Sequence, residues 1–335
     1  MAQEVRGQRG RRRRREAGPK GGAVGLRLVF MGTPLYAVPV LRALVQLPRV
    51  DAVLVITRPA AARGRGRQPA LPPVAEAARQ LGLPVWTPSR LGPQAAARLA
   101  RWRPDVALTA AYGVILPPAV LAQFPAGAYN LHASLLPRWR GPNPIAWAIR
   151  SGDAETGVSL MRMDAGVDTG PVAAQVRVPV APDDTTGTLT ARLAEAAAQL
   201  WTEQWPALSS GVLQAVPQAG PACHAPKDPP GAGRLHFEAP ADVLARMIRS
   251  MLPDPGPHTM AGPVRIKVLQ ARVAEWAVAG VPGTIVRRAP GAEEWVVACG
   301  RQTALQIQLI QPAGRRPMSP GAFDRGQSAP PTMLS

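Results

Sequence analysis

The sequence predicts an α/β protein with a doubly wound, mostly parallel sheet, followed by a smaller β-barrel domain. Up to about residue 205, short β-branched apolar runs alternate with amphipathic stretches, the pattern of a parallel sheet with right-handed crossovers. Residues 206–233 are rich in Pro, Gly, Ser and Ala, which is typical of a linker. Beyond them, short apolar runs separated by Gly and Pro turns indicate a small barrel, of which the OB-fold is a common example. We therefore expect domains at 26–205 and 234–335, each long enough to bury a core.

The first domain is predicted to open with a strand at 26–31, a glycine turn and a helix at 37–46. The remaining strands are predicted at 51–57, 84–87, 105–110, 128–131, 156–163 and 172–178, and the remaining helices at 74–81, 93–101, 141–150 and 184–205. In the second domain a helix is predicted at 241–251 and strands at 264–273, 284–287, 295–298 and 304–310. The first turn lacks the GxGxxG pattern, and Pro34 offers no backbone N–H to a phosphate. Dinucleotide binding is thus disfavoured.

The charge balance favours a polyanionic partner, because lysine and arginine together exceed aspartate and glutamate by 18. Residues 1–25 carry eight basic and two acidic side chains, so the rest of the chain keeps a net charge of +12. Residues 58–73 form a loop rich in Pro, Gly and Arg that is unusually long and basic for a strand-to-helix connection. Contact with a phosphate backbone is the functional interpretation of this loop, and a solvated linker is the alternative.

Several classes of protein are disfavoured by composition. Cys223 and Cys299 have no CxxC partner and no histidine at ligand spacing, which argues against a disulfide framework or a structural zinc site. No apolar run reaches 18 residues and no signal-peptide core is present, so we expect a soluble intracellular protein. The Arg-rich start lacks the serines and hydrophobic spacing of a mitochondrial transit peptide. Residues 1–25 are therefore predicted to be a disordered basic tail.

A candidate polar site lies at the end of the strand predicted at 128–131. Asn130 and His132 are two residues apart, so their side chains leave an extended strand on the same face. A carboxamide can hold an oxyanion there and an imidazole can move a proton. The alternative is that both side chains simply tie down the following loop. The turn at 164–170, between two predicted strands, supplies two carboxylates, Asp164 and Asp168.

Six segments carry a resemblance to a known family. In the first domain they are F-M-G-T-P-L-Y-A-V-P-V-L at 30–41, A-Y-G-V-I-L-P at 111–117, N-L-H-A-S-L-L-P-R-W-R-G at 130–141 and M-D-A-G-V-D-T-G-P at 163–171. In the second half they are H-A-P-K at 224–227 and Q-P-A-G-R-R-P-M-S at 311–319. The chain resembles the folate-dependent formyltransferases, which share the N-x-H and D-x-G patterns. Its first turn and C-terminal segments resemble the methionyl-tRNA branch of that family.

The resemblance implies a reaction and a set of site residues. The reaction would move a formyl group from 10-formyltetrahydrofolate to the amino group of methionyl initiator tRNA, in a monomer of the bacterial cytoplasm. No metal and no membrane would take part. Asn130, His132 and Asp168 would be catalytic, with Asp168 preferred over Asp164 because it directly precedes Thr-Gly. The folate co-substrate would lie against Ser134, Leu135, Leu136 and Pro137, and tRNA against Arg63, Arg65 and Arg67.

The chain departs from the family pattern at two places. Ala60 and Ala61 stand where an acidic residue and an arginine are usual, so other arginines would discriminate the tRNA stem. His224 stands where a tyrosine is usual. Two other functions remain open from the sequence. One is a folate-dependent formyltransferase acting on a small amine, such as glycinamide ribonucleotide or an amino sugar nucleotide, and the other is an RNA-binding protein without catalysis.

Overall fold

Two sheets organise the chain, and the computed structural model describes residues 25–63, 68–286 and 292–335. The strands of the first part are β1 (Leu26–Gly32), β2 (Val50–Ile56), β3 (Ala61–Arg63), β4 (Gln68–Ala70), β5 (Val85–Trp86), β6 (Val106–Ala110), β7 (Ala128–His132), β8 (Glu155–Arg162) and β9 (Val172–Pro179). Its helices are α1 (Ala37–Leu44), α2 (Pro73–Gln80), α3 (Pro93–Trp102), α4 (Pro118–Leu121), α5 (Pro144–Ser151) and α6 (Thr186–Ser209). The tail prediction for residues 1–25 falls almost entirely outside the described residues.

The larger sheet has seven strands in the order β5-β2-β1-β6-β7-β8-β9. The pairs β2/β5, β1/β2, β1/β6 and β6/β7 are parallel, whereas β7/β8 and β8/β9 are antiparallel. The predicted mostly parallel, Rossmann-like sheet is therefore confirmed. Strands β8 and β9 pair antiparallel because they are joined directly by the short turn at 163–171, which leaves no room for a crossover helix.

Burial on both faces explains why the central strands are almost wholly apolar. Leu28 to Met31 of β1 are completely buried between helices on the two sides of the sheet. On one side α1 packs against α6, whose Trp201 and Trp205 are fully buried. The Trp205 indole N–H also donates to the carbonyl of Pro48 at 2.7 Å. A capping box between Thr185 and Thr188 starts α6.

Two parts of the first region differ in detail from the prediction. The loop at 58–73 contains a short antiparallel ribbon, β3 paired with β4, which was not predicted because runs of three residues carry no usable periodicity. The four-residue helix α4 was missed for the same reason. Residues 64–67 of the loop lie outside the described residues.

Residues 206–233, predicted as a linker, lie partly in α6 and partly against the first domain. The helix continues to Ser209 in spite of Pro206. Farther on, Val216 pairs with Val172, at the start of β9, and His224 pairs with Arg140. Residues 212–228 therefore run back along the edge of the sheet where β7 ends. We call this segment the strap.

The second domain is a five-stranded antiparallel sheet. One helix precedes its strands along the chain and another follows them. Its elements are α7 (Ala241–Ser250), β10 (His258–Ala261), β11 (Val264–Val273), β12 (Ile285–Val286), β13 (Trp295–Ala298), β14 (Ala304–Pro312) and α8 (Pro320–Arg325), in the strand order β10-β11-β14-β13-β12. The predicted small barrel is confirmed as a curled, OB-like sheet. Strand β10 and helix α8 were not predicted. In the described part of the chain, none of the helices has both the length and the apolarity to cross a bilayer.

Candidate active site

Strand β7 places Asn130 and His132 where the sheet changes from parallel to antiparallel pairing. On one side β7 pairs with β6, with Asn130 beside Thr109, and on the other it pairs with β8, with His132 beside Ser159. The His132 residue is only 6% exposed, whereas Asn130 is half-buried. The two-residue spacing brings both side chains to the same place, as predicted. Asp168, from the turn after β8, lies next to both.

The carboxamide of Asn130 has a defined orientation. Its Nδ2 lies 3.5 Å from Asp168 Oδ1, and its Oδ1 accepts a 2.7 Å hydrogen bond from the hydroxyl of Thr109. A carboxylate only accepts hydrogen bonds, so the amide nitrogen has to be the atom that faces Asp168. The Thr109 hydroxyl then has to donate to the amide oxygen. The amide N–H groups of Asn130 are thereby directed into the site.

His132 uses its two ring nitrogens differently. Nε2 lies 2.8 Å from the carbonyl oxygen of Trp139, and a carbonyl can only accept, so Nε2 carries a hydrogen. Nδ1 lies 3.5 Å from Asp168 Oδ2. Nδ1 is therefore the nitrogen that faces the carboxylate and is left to exchange a proton.

The carbonyl that holds His132 is itself fixed by its surroundings. Trp139 has a φ of +60°, stacks on Trp147 with ring centroids 5.7 Å apart, and donates its indole N–H to Asp153 at 2.7 Å. The same aspartate accepts hydrogen bonds from Arg138, which raise the pKa of that guanidinium. This cluster of rings and charges keeps the Trp139 carbonyl aimed at the imidazole.

The structure separates the roles of the two carboxylates in the turn. Asp164 accepts hydrogen bonds from the backbone N–H of Gly166 at 3.0 Å and from the Thr169 hydroxyl at 2.8 Å, so it closes the turn. Asp168 instead points at His132 and Asn130. Its Oδ2 accepts a 2.8 Å hydrogen bond from the N–H of Gly141. Gly141 has a φ of +114°, and a Cβ there would lie 3.0 Å from a carbonyl oxygen of the strap, so only glycine fits comfortably at this contact.

The four residues expected to contact folate form the loop after β7. Ser134 is fully buried and donates to the carbonyl of Arg138 at 2.6 Å, so its hydroxyl holds the loop together. Leu136 is also buried, and its N–H donates to the Ser159 hydroxyl at 3.0 Å. Leu135 and Pro137 are half-buried. Of the four side chains, these last two keep surface that a ligand can contact.

The predicted tRNA contacts cannot be placed as a group. Arg63 ends β3, and Arg65 and Arg67 lie outside the described residues. The start of the same loop follows β2, and β2, β1, β6 and β7 are parallel neighbours, so it lies at the same edge of the sheet as the site. Burial raises the pKa of Tyr112, in the loop after β6, and the positive charge of Arg58 partly offsets that rise. The basic loop therefore begins beside the residues that follow β6.

Several residues that support the site were missed by sequence reasoning. Thr109 is a polar residue in an otherwise apolar strand, a signal that could have identified it. Gln175 donates to the Ser159 hydroxyl at 2.8 Å and to the Leu136 carbonyl at 3.0 Å, and Gln218 binds the turn that carries Asp168. These two glutamines carry no such signal. Among the residues that the structure describes, no group of three or more His, Cys, Asp or Glu side chains is arranged to hold a metal ion.

Each half of the chain matches a family model of known proteins. Residues 26–204 match the family model "Formyl transferase", and residues 229–328 match "Formyl transferase, C-terminal domain". A solved structure with a similar fold is the N-formyltransferase of Helicobacter canadensis in complex with folinic acid and dTDP-3-aminofucose. Its TM-score is 0.65 at 15% identity, over 84% of this chain and 99% of that one. The fold and the site together define a formyl transferase, an enzyme that transfers a one-carbon group.

Relatives that match over nearly their whole length show which branch of the formyl transferases the chain belongs to. The chain is 45% identical over 314 residues to the methionyl-tRNA formyltransferase of Methylobacterium sp. (strain 4-46), covering 92% of this chain and 98% of the relative. It is 43% identical over 307 residues to the methionyl-tRNA formyltransferase of Paracoccus denitrificans (strain Pd 1222), covering 91% and 99%. The chain belongs to the methionyl-tRNA formyltransferase family.

Proposed function

We propose that this enzyme transfers the formyl group of 10-formyltetrahydrofolate to the free amino group of the methionine carried by initiator tRNA. The observation that carries the proposal is the convergence of Asn130 and His132 on Asp168 at the end of β7, where each side chain lies 3.5 Å from one oxygen of the Asp168 carboxylate. The reaction creates a negative oxygen and moves protons, and these three groups are suited to both tasks. The relatives at 41–45% identity carry the name of this activity.

Asn130 is proposed to stabilise the oxyanion that develops on the formyl oxygen when the amine attacks. Its amide N–H groups face the site because Thr109 holds the amide oxygen at 2.7 Å. A donor fixed in advance loses little energy to reorganisation during the reaction. Removal of one such donor typically costs on the order of 100- to 1,000-fold in rate.

His132 and Asp168 are proposed to handle the protons. The attacking amine has to lose a proton and the folate N10 has to gain one. Nδ1 of His132 is the free ring nitrogen, and the Asp168 carboxylate 3.5 Å away stabilises the ring in its charged form. A charged ring can donate from Nδ1 to the oxyanion and can pass a proton onward, directly or through water. Nε2 takes no part, since the Trp139 carbonyl holds it.

The folate co-substrate is proposed to bind between the loop after β6 and the loop after β7. The first loop, residues 111–117, begins two residues after Thr109 and includes Ile115, which is 67% exposed. The second includes Leu135 and Pro137, whose apolar surfaces are partly open. Apolar walls with a few polar groups at one end are typical of sites for flat heteroaromatic ligands. We keep Ser134 and Leu136 in the proposed site as the residues that shape the second loop.

Initiator tRNA is proposed to bind through the basic surface of the molecule, with Arg63, Arg65 and Arg67 near its acceptor stem. The net charge of +18 supports an electrostatic contribution of this kind, which weakens as salt rises. We place the second domain, residues 234–335, against the tRNA as well. The relatives come from bacteria. We propose that this enzyme is a monomer that acts in the bacterial cytoplasm, the compartment in which translation begins.

The decisive experiment compares formyl transfer to methionyl initiator tRNA and methionyl elongator tRNA, with 10-formyltetrahydrofolate as donor. Transfer to the initiator alone is the expected result. Transfer to an amino sugar nucleotide or glycinamide ribonucleotide, with none to either tRNA, would show a small-amine formyltransferase instead. His132→Ala is expected to abolish turnover and leave tRNA affinity within about twofold. A collapse of tRNA affinity in that variant would contradict the role given to His132.

A further inference from the structure

We infer that Gln218, in the strap, is a positioning residue for Asp168, an inference that rests on the proposed function. Gln218 lies 50 residues from Asp168 along the chain, in a stretch whose composition is that of a linker. Its side chain nevertheless connects the two segments that hold the catalytic carboxylate and the imidazole. The connection consists of four hydrogen bonds from a single amide.

Every hydrogen-bonding position of that amide is used. Nε2 donates to the carbonyl oxygens of Asp168 and Gly170, both at 2.8 Å. Oε1 accepts from Arg140 through Nε at 3.1 Å and through Nη2 at 2.8 Å. Carbonyls only accept and a guanidinium only donates, so the amide can adopt only this orientation. Such a fully satisfied side chain fixes the distance between its two sets of partners.

The turn that carries Asp168 needs an external tie. Asp168 has a φ of +53°, a left-handed conformation that costs an L-residue energy unless its surroundings hold it. Residues 164–167 and 169 are exposed, so little packing constrains the turn. Gln218 binds the carbonyl of Asp168 itself and that of Gly170, two residues later. The amide therefore holds the backbone that directly follows the strained position.

The other end of the amide reaches the segment that orients His132. Arg140 lies between Trp139, whose carbonyl binds His132 Nε2, and Gly141, whose N–H binds Asp168 Oδ2. Gln218 thus joins the backbone of the turn that carries Asp168 to Arg140, in the segment 139–141 that contacts both the Asp168 carboxylate and the His132 imidazole. A shift of the turn would change the 3.5 Å separation between Asp168 and His132. Reactions of this kind are sensitive to displacements of about 1 Å, which can cost about 100-fold in rate.

The test is steady-state kinetics of the full chain with Gln218→Glu, Gln218→Met and Gln214→Glu. Gln218→Glu keeps the acceptor for Arg140 but sets an oxygen against two carbonyl oxygens, so the turn has to move. We expect its kcat to fall about 10- to 100-fold, with the KM values for the formyl donor and methionyl-tRNA within about twofold. Gln218→Met removes the four hydrogen bonds without adding a charge, and about a tenfold loss of kcat is expected.

Gln214→Glu is the matched control, because it makes the same chemical change at an exposed glutamine of the strap. Its kcat should stay within about twofold of the parent. Folded Gln218 variants with unchanged kcat, or an equal loss in Gln214→Glu, would overturn the inference. A rise in the KM for tRNA at constant kcat would do the same and mark Gln218 as a tRNA contact. A parent enzyme that transfers no formyl group would instead refute the proposed function, and the inference with it.

Discussion

Asp168→Asn is the substitution that tests the electrostatic part of the mechanism most directly. The side chain keeps its size, and the amide oxygen can still accept from the N–H of Gly141, now 2.8 Å from Asp168 Oδ2. The negative charge next to His132 Nδ1 disappears, and an NH₂ group faces the amide nitrogen of Asn130. The geometry of the turn should survive while the support for a positively charged ring is lost.

The separation of 3.5 Å between His132 Nδ1 and Asp168 Oδ2 sets the magnitude. Two unit charges about 4 Å apart attract by about 4 kcal/mol at the effective dielectric of a site near the protein surface. The Asp168 side chain is 15% exposed, so water screens part of this attraction. We therefore expect a loss of about 2–4 kcal/mol of transition-state stabilisation. That corresponds to a fall in kcat of roughly 30- to 1,000-fold.

The assay is kcat for formyl transfer at saturating donor and methionyl initiator tRNA, with thermal unfolding as a check on folding. Asp164→Asn serves as the control, because it neutralises a carboxylate of the same turn that only accepts hydrogen bonds from Gly166 and Thr169. Its kcat should change by less than about fivefold. If folded Asp168→Asn lost less than about threefold in kcat, the charge of Asp168 would not be part of the mechanism.

Two further predictions concern stability and tRNA binding. Burial raises the pKa of Cys299 from 9.0 to about 11, so above pH 9 the unfolded chain gives up this proton before the folded one and stability falls as pH rises. Between pH 8 and pH 10, the free energy of unfolding of the parent should therefore fall by about 1 kcal/mol more than that of Cys299→Ala, measured by urea denaturation. An equal fall in the two proteins would contradict this. Arg65→Ala should raise the KM for tRNA and lower the slope of log affinity against log salt by about one, and an unchanged slope would exclude a phosphate contact.

The parts of the fold that the sequence predicted are those fixed by local patterns. The runs that became β1, β2 and β6 are apolar over most of their length, so both their type and their parallel pairing were readable. The antiparallel pairing of β8 with β9 followed from the short turn between them. Elements of three or four residues, such as β3 and α4, were not readable, because they are too short to show a period.

The strap combines a linker-like composition with defined backbone contacts. Pro, Gly and Ser disfavour regular helices and strands, and that is what a linker needs. An irregular segment keeps backbone N–H and C=O groups that are free to pair with another irregular segment. The strap forms such pairs. The N–H of Arg140 donates to the Cys223 carbonyl at 3.0 Å, and the N–H of Ala225 donates to the Arg140 carbonyl at 2.8 Å. A segment with little regular secondary structure, such as the strap, can thus still be bound tightly to the first domain.

The side chains proposed to be catalytic and the residues that support them also differ in how far they are visible in the sequence. Asn130 and His132 are two residues apart on one strand, so local geometry was enough to bring them together. Asp168 could be chosen over Asp164 only through the family pattern, since both carboxylates occupy one turn. Gln218 depends on contacts that span 50 residues to Asp168 and 78 to Arg140, and such a contact leaves no mark on neighbouring residues. Spacing along one strand therefore identifies Asn130 and His132, whereas Asp168 needs the family pattern and Gln218 needs the fold itself.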